Sequence, residues 1–174
     1  MKLKTVIVLM AGMTAFSSQA LELSSTDIHE GQRMSNTFAF AGMGCDGGNL
    51  SPQLSWENAP IGTKSFAITA FDPDAPTGSG WWHWTVLNLP VTTMHLDRGA
   101  KISNGLETRT DFGKPGFGGA CPPAGDGMHR YQFTVWALPQ EKIDLPADIN
   151  PAVVGFTLNS MALDKAVLTA TFVR

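Results

Sequence analysis

Residues 131–138, YQFTVWAL, have the clearest strand pattern in the chain. Bulky residues at the first, third and fifth positions alternate with Gln, Thr and Trp, which is the period of a strand with one face against a core. Three further segments are rich in β-branched or aromatic residues: 65–71, 83–89 and 166–173. The stretch 38–56 holds four glycines and is predicted to be an ordered loop with short strands.

One segment has a helical pattern. Asn150 is a suitable N-cap, Pro151 suits the first helical position, and Val154, Leu158 and Met161 form an i, i+4, i+7 stripe. Long Gly- and Pro-rich connections join the strands, and helices are too few for β-α-β crossovers. The fold is therefore predicted to be all-β dominated, an antiparallel β-sandwich with one or two short peripheral helices.

The composition limits the class of protein. The chain has 174 residues, 43% of them hydrophobic and 16% charged, which suits one globular domain and argues against disorder and against a polytopic membrane protein. The formal net charge of −3 provides no basic surface for a phosphate backbone, so no nucleic-acid partner is expected.

The first twenty residues resemble a secretory signal peptide. Lys2 and Lys4 form a positive start, residues 6–16 an apolar stretch, and Ser18 and Ala20 a small-x-small cleavage pattern. A membrane anchor is the alternative, but the apolar run is shorter than the roughly 18 residues that a span needs. We expect cleavage after Ala20 and a single periplasmic or secreted domain over 21–174, with no integral membrane segment.

Export changes how the two cysteines are interpreted. In an oxidising compartment an even number of cysteines favours a disulfide, here between Cys45 and Cys121. Such a bond would stabilise the fold by about 4 kcal/mol in the chain-entropy model. A cysteine metal site is the weaker alternative, because neither cysteine has a Cys-x-x-Cys or Cys-x-x-His neighbour.

Polar residues of catalytic type lie where predicted loops meet strands. Asp72 and Asp74 flank Pro73, which cannot donate to a sheet, so the strand ends there and leaves both carboxylates at the sheet end. His83 and His129 each begin a strand. Local caps and structural histidines are the alternatives to a binding site, and these residues alone leave both interpretations open.

The run 113–123, GKPGFGGACPP, could present several backbone N–H groups to a phosphate or carboxylate as a nest. It is not a Walker loop, because Lys114 is followed by Pro115 and not by Ser or Thr. The segment is therefore a candidate wall of an anion site.

Two catalytic alternatives have weaker support. Ser79, in the tripeptide GSG, lacks the Gly-x-Ser-x-Gly pattern of a nucleophile elbow. Asp72, Asp74, His83 and His129 are suitable metal ligands by type, but their spacing is not specific. No metal and no cofactor are predicted.

Two motifs in the right order resemble the phosphatidylethanolamine-binding protein family, whose bacterial branch is also called Raf kinase inhibitor-like. They are the segment 72–76, DPDAP, followed by His83, and the pair Pro122 and Pro123 followed by residues 127–131, GMHRY. The segment 49–56, NLSPQLSW, is similar as well, so the resemblance covers the whole predicted mature chain. It implies a β-sandwich with small helices and a small pocket for phosphate, acetate or a phospholipid headgroup.

The resemblance also implies a role for each matched residue. Asp72 would orient and charge an imidazole, His83 and His129 would donate to the anion, and Tyr131 would form a polar wall. The remaining implied residues shape the rim or hold the loop: Gly119, Pro123, Asp74 and Pro76. The two cysteine loops would approach each other near the pocket.

Three functions are compatible with these residues. The first is a binding protein for a small anionic group, because donors are predicted but no activated nucleophile is. The second is an interaction module for a phosphorylated or acidic partner, of the kinase-signalling type by resemblance, with a homodimer as a further arrangement. The third is a hydrolase or lyase that acts through Asp72 and His83.

Overall fold

The computed structural model describes residues 19–174. The predicted signal peptide, apart from its last two residues, lies outside that range. Within the range, no helix combines the length and the apolar character that crossing a membrane would require.

Strands make up most of the regular structure. They are β1 (Glu22–Ser24), β2 (Ala41–Gly42), β3 (Cys45–Asp46), β4 (Leu54–Glu57), β5 (Ser65–Asp72), β6 (Trp81–Pro90), β7 (His95–Leu96), β8 (Leu106–Glu107), β9 (His129–Leu138) and β10 (Asp164–Phe172). The helix α1 (Pro151–Met161) connects β9 to β10, and a turn of 3-10 helix covers Asn36–Phe38. The stretch 38–56 thus holds two very short strands and the start of β4, as predicted.

The four strands predicted from sequence are neighbours in one antiparallel sheet, in the order β10-β9-β5-β6-β8. A second antiparallel sheet has the order β1-β4-β7, and β2 pairs with β3. The predicted antiparallel, β-dominated fold is confirmed. The observed strands begin up to two residues before the predicted ones, because pairing with a neighbouring strand and not the local pattern determines where a strand starts. β6 begins at Trp81, and β10 begins at Asp164, opposite Ala137.

β5 lies at the centre of the large sheet and is buried on both faces. Phe66 and Ile68 pack in the core shared with Trp56 of β4, whose ring centre is 5.5 Å from that of Phe66. Ala67 points to the other face and packs with Leu158 of α1. The large sheet is therefore covered by the small sheet on one side and by the helix on the other.

The predicted helix is confirmed with its predicted cap. Asn150 accepts a hydrogen bond at Oδ1 from the N–H of Ala152, at 2.9 Å, and Pro151 occupies the first turn. Val154 and Leu158 of the predicted stripe are fully buried against the sheet.

One end of the large sheet gathers the polar residues. Asp72 at the end of β5 pairs with Trp81 at the start of β6, and Phe71 pairs with Gln132 near the start of β9. Because neighbouring strands run antiparallel, the last residue of β5 lies beside the first residues of β6 and β9. Residues far apart in sequence therefore meet at this end.

Candidate functional site

A cavity of about 180 Å³ opens at this end of the large sheet. Its lining includes four polar residues that the sequence singled out, Asp72, His83, His129 and Tyr131, and one that it did not, Thr77. Pro76 and Pro123 also line it, as do residues that sequence analysis did not assign to the site, among them Met43, Trp81 and Phe112. The cavity is thus lined mainly by apolar side chains, with a few polar groups among them.

The Asp72 carboxylate is held from two sides although its side chain is only 3% exposed. Its Oδ2 lies 2.8 Å from Nδ1 of His129, and its Oδ1 accepts a hydrogen bond from the N–H of Asp74, also at 2.8 Å. A buried carboxylate needs such partners, because leaving water without them costs several kcal/mol. The turn that begins at Pro73 supplies one of these partners.

His129 lies between two carboxylates. Its Nε2 is 3.3 Å from Oδ2 of Asp126, and its Nδ1 contacts Asp72. Burial by itself lowers the pKa of His129, but the hydrogen bond and negative charge of Asp72, with a further contribution from Asp126, raise that pKa above its usual value. The geometry therefore favours an imidazolium whose two N–H groups both donate.

His83 has a different environment from the one expected. Its Nδ1 lies 2.8 Å from the carbonyl oxygen of Gly118, which can only accept, so Nδ1 carries a proton. Burial lowers the pKa of His83, and the Gly118 carbonyl and the charge of Asp72 only partly oppose that effect. The imidazole that Asp72 bonds is that of His129, and Asp72 acts on His83 only through its charge.

A β-bulge explains this arrangement. The pairing of β5 with β6 passes from Phe71 opposite Trp82 to Ala70 opposite Trp84, which leaves His83 without a partner on β5. Bulges re-aim side chains at the ends of sheets and beside functional sites. The His83 ring then packs edge-on against Tyr131, with ring centres 5.1 Å apart.

The Tyr131 hydroxyl is buried and has no hydrogen-bond partner within residues 19–174. Burial raises the pKa of Tyr131, as do the negative charge of the nearby Asp72 carboxylate and a weak interaction of the hydroxyl with it, so the phenol keeps its proton. A buried hydroxyl that lacks a partner costs free energy and is a sign of an absent ligand or water.

Asp74 lies outside the cavity lining and holds the loop. Its Oδ1 and Oδ2 accept hydrogen bonds from the Arg130 guanidinium at 2.7 and 2.9 Å, and Oδ2 also accepts one from the Arg130 backbone N–H. The Arg130 guanidinium lowers the pKa of Asp74 to about 2. This ion pair fastens the loop after β5 to the start of β9.

The glycine-rich run does not form the expected nest at residues 118–120. The N–H groups there are already used: Gly118 donates to the His83 carbonyl, Gly119 to Oδ1 of Asn49, and Ala120 to the Phe38 carbonyl. A Cβ at Gly119 would lie 2.4 Å from the Phe38 oxygen, so only glycine fits this close backbone approach. The run therefore serves as a packed wall, and Gly119 lies behind the cavity lining.

Cys45 and Cys121 are disulfide-bonded, as predicted. The bond links segments 76 positions apart, and Cys121 itself lines the cavity beside Pro122 and Pro123. The Arg174 guanidinium packs on the bond, with Nη1 3.3 Å from Sγ of Cys45. The disulfide thus fastens one wall of the site.

The catalytic alternatives find less support in the geometry. Ser79 is exposed in the turn before β6, and its N–H donates to Oγ1 of Thr77. In the described part of the chain, no group of three His, Cys, Asp or Glu residues has the arrangement to hold a metal ion. Asp74, a member of the metal set considered from sequence, is engaged by Arg130 instead.

Asp126 and the carbonyl of Gly118 are contributors that sequence analysis missed. Asp126 precedes His129 by three residues, a spacing that could have suggested a contact. No comparable sequence signal exists for a backbone carbonyl, because any residue carries one.

The chain is similar to a known protein family and to two proteins of Escherichia coli. The phosphatidylethanolamine-binding protein family model matches residues 24–173. The UPF0098 protein YbcL of Escherichia coli K12 is 47% identical over 180 residues, 98% of this chain and 98% of YbcL. The UPF0098 protein YbhB of the same strain is 49% identical over 158 residues, 87% of this chain and 99% of YbhB.

A solved structure supports the same assignment. The crystal structure of E. coli YbcL, described as a member of the mammalian PEBP family, superposes with a TM-score of 0.86 at 45% identity and covers 90% of this chain and 99% of that one. The family match spans both motif segments and the strands that bring them together. The chain therefore belongs to the phosphatidylethanolamine-binding protein family.

Proposed function

We propose that this protein is an exported binding protein for a ligand that carries a small anionic group, a phosphate or a carboxylate. The observation that carries the proposal is the Tyr131 hydroxyl, which is buried, lacks a partner within the described residues and lines a cavity that also holds the His129 imidazolium. A bound oxyanion would accept from that hydroxyl and remove the cost of leaving it unpaired.

The size of the cavity supports a small group and not a whole lipid. Its volume of about 180 Å³ is below the roughly 300–1,000 Å³ of sites that enclose drug-sized ligands. A phosphate or carboxylate group with a few attached atoms fits such a space, and the rest of a larger ligand would remain outside. A phospholipid headgroup is one ligand that meets this description.

The rim supports a ligand with an apolar portion next to its anionic group. Met43 is 68% exposed at the mouth, and Trp81 and Phe112 are partly exposed with ring edges and faces in contact. These side chains would cover an apolar segment that leaves the cavity, because burying that segment removes apolar surface from water.

A segment of a protein partner that bears a phosphorylated or acidic group is a second candidate, and the exposed rim favours it. Met43 at the cavity, and the exposed Met128 that precedes His129 in the chain, offer flexible apolar contacts of the kind used at protein-binding surfaces. This candidate uses the same anion site and adds contacts at the rim.

Calorimetric titration of the purified protein with phosphate and with acetate tests the proposal. Tyr131→Phe removes only the hydroxyl and should weaken binding about ten- to a hundred-fold, the loss of a hydrogen bond to a charged group. His95→Ala is the matched control, since His95 is an exposed histidine on β7. The absence of binding by wild type, or equal affinity in Tyr131→Phe, would contradict the proposal.

One further result would favour a catalytic function over a binding function. Turnover of an aryl phosphate by the wild type that is lost in His83→Ala and kept in His95→Ala would support the hydrolase alternative. Binding without turnover in the same assay would support the binding role.

A further inference from the structure

The cavity presents acceptors as well as donors. Each Asp72 carboxylate oxygen already accepts one hydrogen bond, from His129 or from the Asp74 N–H, and each keeps a further lone pair. The residue lines the cavity, so the carboxylate is available to a proton-bearing group there.

His83 adds a second acceptor. Its Nδ1 proton is committed to the Gly118 carbonyl, and its Nε2 makes no hydrogen bond to the described part of the chain. When the ring is neutral, Nε2 carries a lone pair and can only accept. The Tyr131 hydroxyl is then a donor beside two acceptors, one of which, Asp72, already interacts with it.

The surrounding charges do not favour a dianion. Two carboxylates, Asp72 and Asp126, contact the single imidazolium of His129, and Asp111, held by the backbone N–H of Trp82, adds a negative charge near His83. The Asp74 charge is compensated by Arg130.

One further cation lies close to the wall of the cavity. Arg174 is exposed, and its guanidinium contacts the disulfide sulfurs of Cys45 and Cys121. Even with Arg174 counted, the uncompensated carboxylates near the cavity outnumber the cations by three to two, so an oxyanion that enters meets acceptors and a local excess of negative charge.

From this geometry we propose that the site takes up an oxyanion together with one proton, and so selects a proton-bearing phosphate group over sulfate of similar shape. The inference rests on the proposed anion-binding function and deepens it. The Asp72 carboxylate, with His83 Nε2, is the specificity-determining element.

The proton can arrive in either of two ways. A singly charged phosphate carries P–OH groups, one of which donates to Asp72 or to His83 Nε2 while a charged oxygen accepts from Tyr131. Sulfate has no proton near neutral pH, so His83 must first take one from solution, against the burial that disfavours the imidazolium. Phosphate monoesters, with a second pKa of about 6, carry that proton on about half of the molecules at pH 6 and can then supply it themselves.

Calorimetry with inorganic phosphate and with sulfate at pH 6 measures the selectivity. We expect phosphate to bind at least about ten-fold more tightly than sulfate. Asp72→Asn replaces an acceptor with an amide that can donate and should bring the two affinities within about three-fold of each other. Asp144→Asn is the control, because it removes an exposed carboxylate that does not line the cavity, and it should keep the ten-fold selectivity.

A second measurement keeps the inference testable if Asp72→Asn fails to fold. Titrations of wild type in buffers of different ionisation enthalpy count protons, and we expect one proton taken up per sulfate bound at pH 7 and one per phosphate bound at pH 8, where phosphate in solution is mainly a dianion. Equal affinity for the two anions, or zero proton uptake, would overturn the selectivity and leave anion binding intact. No binding of either anion would instead overturn the proposed function.

Discussion

His129 Nδ1 lies 2.8 Å from Oδ2 of Asp72, and the two residues are 57 positions apart in the chain. Both side chains are 3% exposed, so the pair is formed almost out of contact with bulk water. It joins the end of β5 to the start of β9, and it favours the protonated form of His129 in the cavity. The stability of the sheet end and the chemistry of the site therefore depend on the same contact.

Asp72→Asn should destabilise the fold markedly. It leaves the buried His129 without its charged partner, and breaking a buried ion pair by removing one partner costs about 3 kcal/mol or more. Asp74→Asn, in the same loop, should cost clearly less, because the Asp74–Arg130 pair is largely exposed and screened by solvent. Urea unfolding of both variants measures the difference, and an equal loss in the two would contradict this ranking.

The contribution of His129 to stability should fall as the pH rises. Because the folded-state pKa of His129 is raised above its ordinary value of 6.5, its stabilising effect is complete below about pH 6.5 and is lost as the pH rises through the folded pKa. The free energy of unfolding of wild type minus that of His129→Gln should therefore be largest in acid.

Subtracting the unfolding free energy of His129→Gln from that of wild type isolates the contribution of His129. The contribution of His83 is common to both proteins and cancels; its lowered pKa would otherwise make the total stability change with pH in the opposite direction. In an Asp72→Asn background the pH dependence should shrink, because its principal cause has been removed. If the free energy of unfolding of wild type minus that of His129→Gln grew from pH 6 to pH 9, the pKa of His129 would not be raised in the folded protein.

Reduction of the Cys45–Cys121 bond should weaken both stability and binding. The bond closes a loop with a sequence separation of 76, for which the chain-entropy model gives about 4 kcal/mol. Phosphate affinity should fall as well, because Cys121 and the two prolines that follow it line the cavity. Urea unfolding and phosphate titration of the Cys45→Ala/Cys121→Ala double variant check both effects.

Peptide mapping under non-reducing conditions tests the bond itself. The exported protein should yield one linked peptide that contains both cysteines. Two free thiols in protein taken from an oxidising compartment would contradict the disulfide.

We expect the chain to be exported and cleaved after Ala20, so that the mature protein begins at Leu21. The backbone nitrogen of Leu21 lies 3.1 Å from Oδ2 of Asp164, so cleavage after Ala20 would turn that nitrogen into an ammonium beside a carboxylate. Intact mass of the exported protein decides the point. Asp164→Asn should lower the thermal stability of the processed protein, and retention of residues 1–20 after export would contradict the prediction.

The main strands and the helix could be predicted because their patterns are local. β5, β6, β9 and β10 are long and rich in β-branched or aromatic residues, and Asn150 and Pro151 mark the start of α1. β1 and β7 have only three and two residues, too few to show any period. Their pairing with β4 is a tertiary effect.

The residues that meet in the cavity could be predicted, but their hydrogen-bond partners could not. The motifs identified Asp72, His83, His129 and Tyr131, all of which line the cavity. Which histidine meets Asp72 depends on the bulge at His83, which adds one residue to the pairing of two strands and leaves no local sequence signal. Likewise, the N–H groups of the glycine-rich run are used by segments that only the fold brings near.

The four histidines of the chain allow the most direct test of anion binding in this cavity. His83 and His129 line it, whereas His29 and His95 are exposed elsewhere. In an NMR titration of the folded protein with phosphate at constant pH, the ring resonances of His83 and His129 should shift with one common affinity, and those of His29 and His95 should not. No shift at His83 and His129, or shifts confined to His29 and His95, would contradict the account.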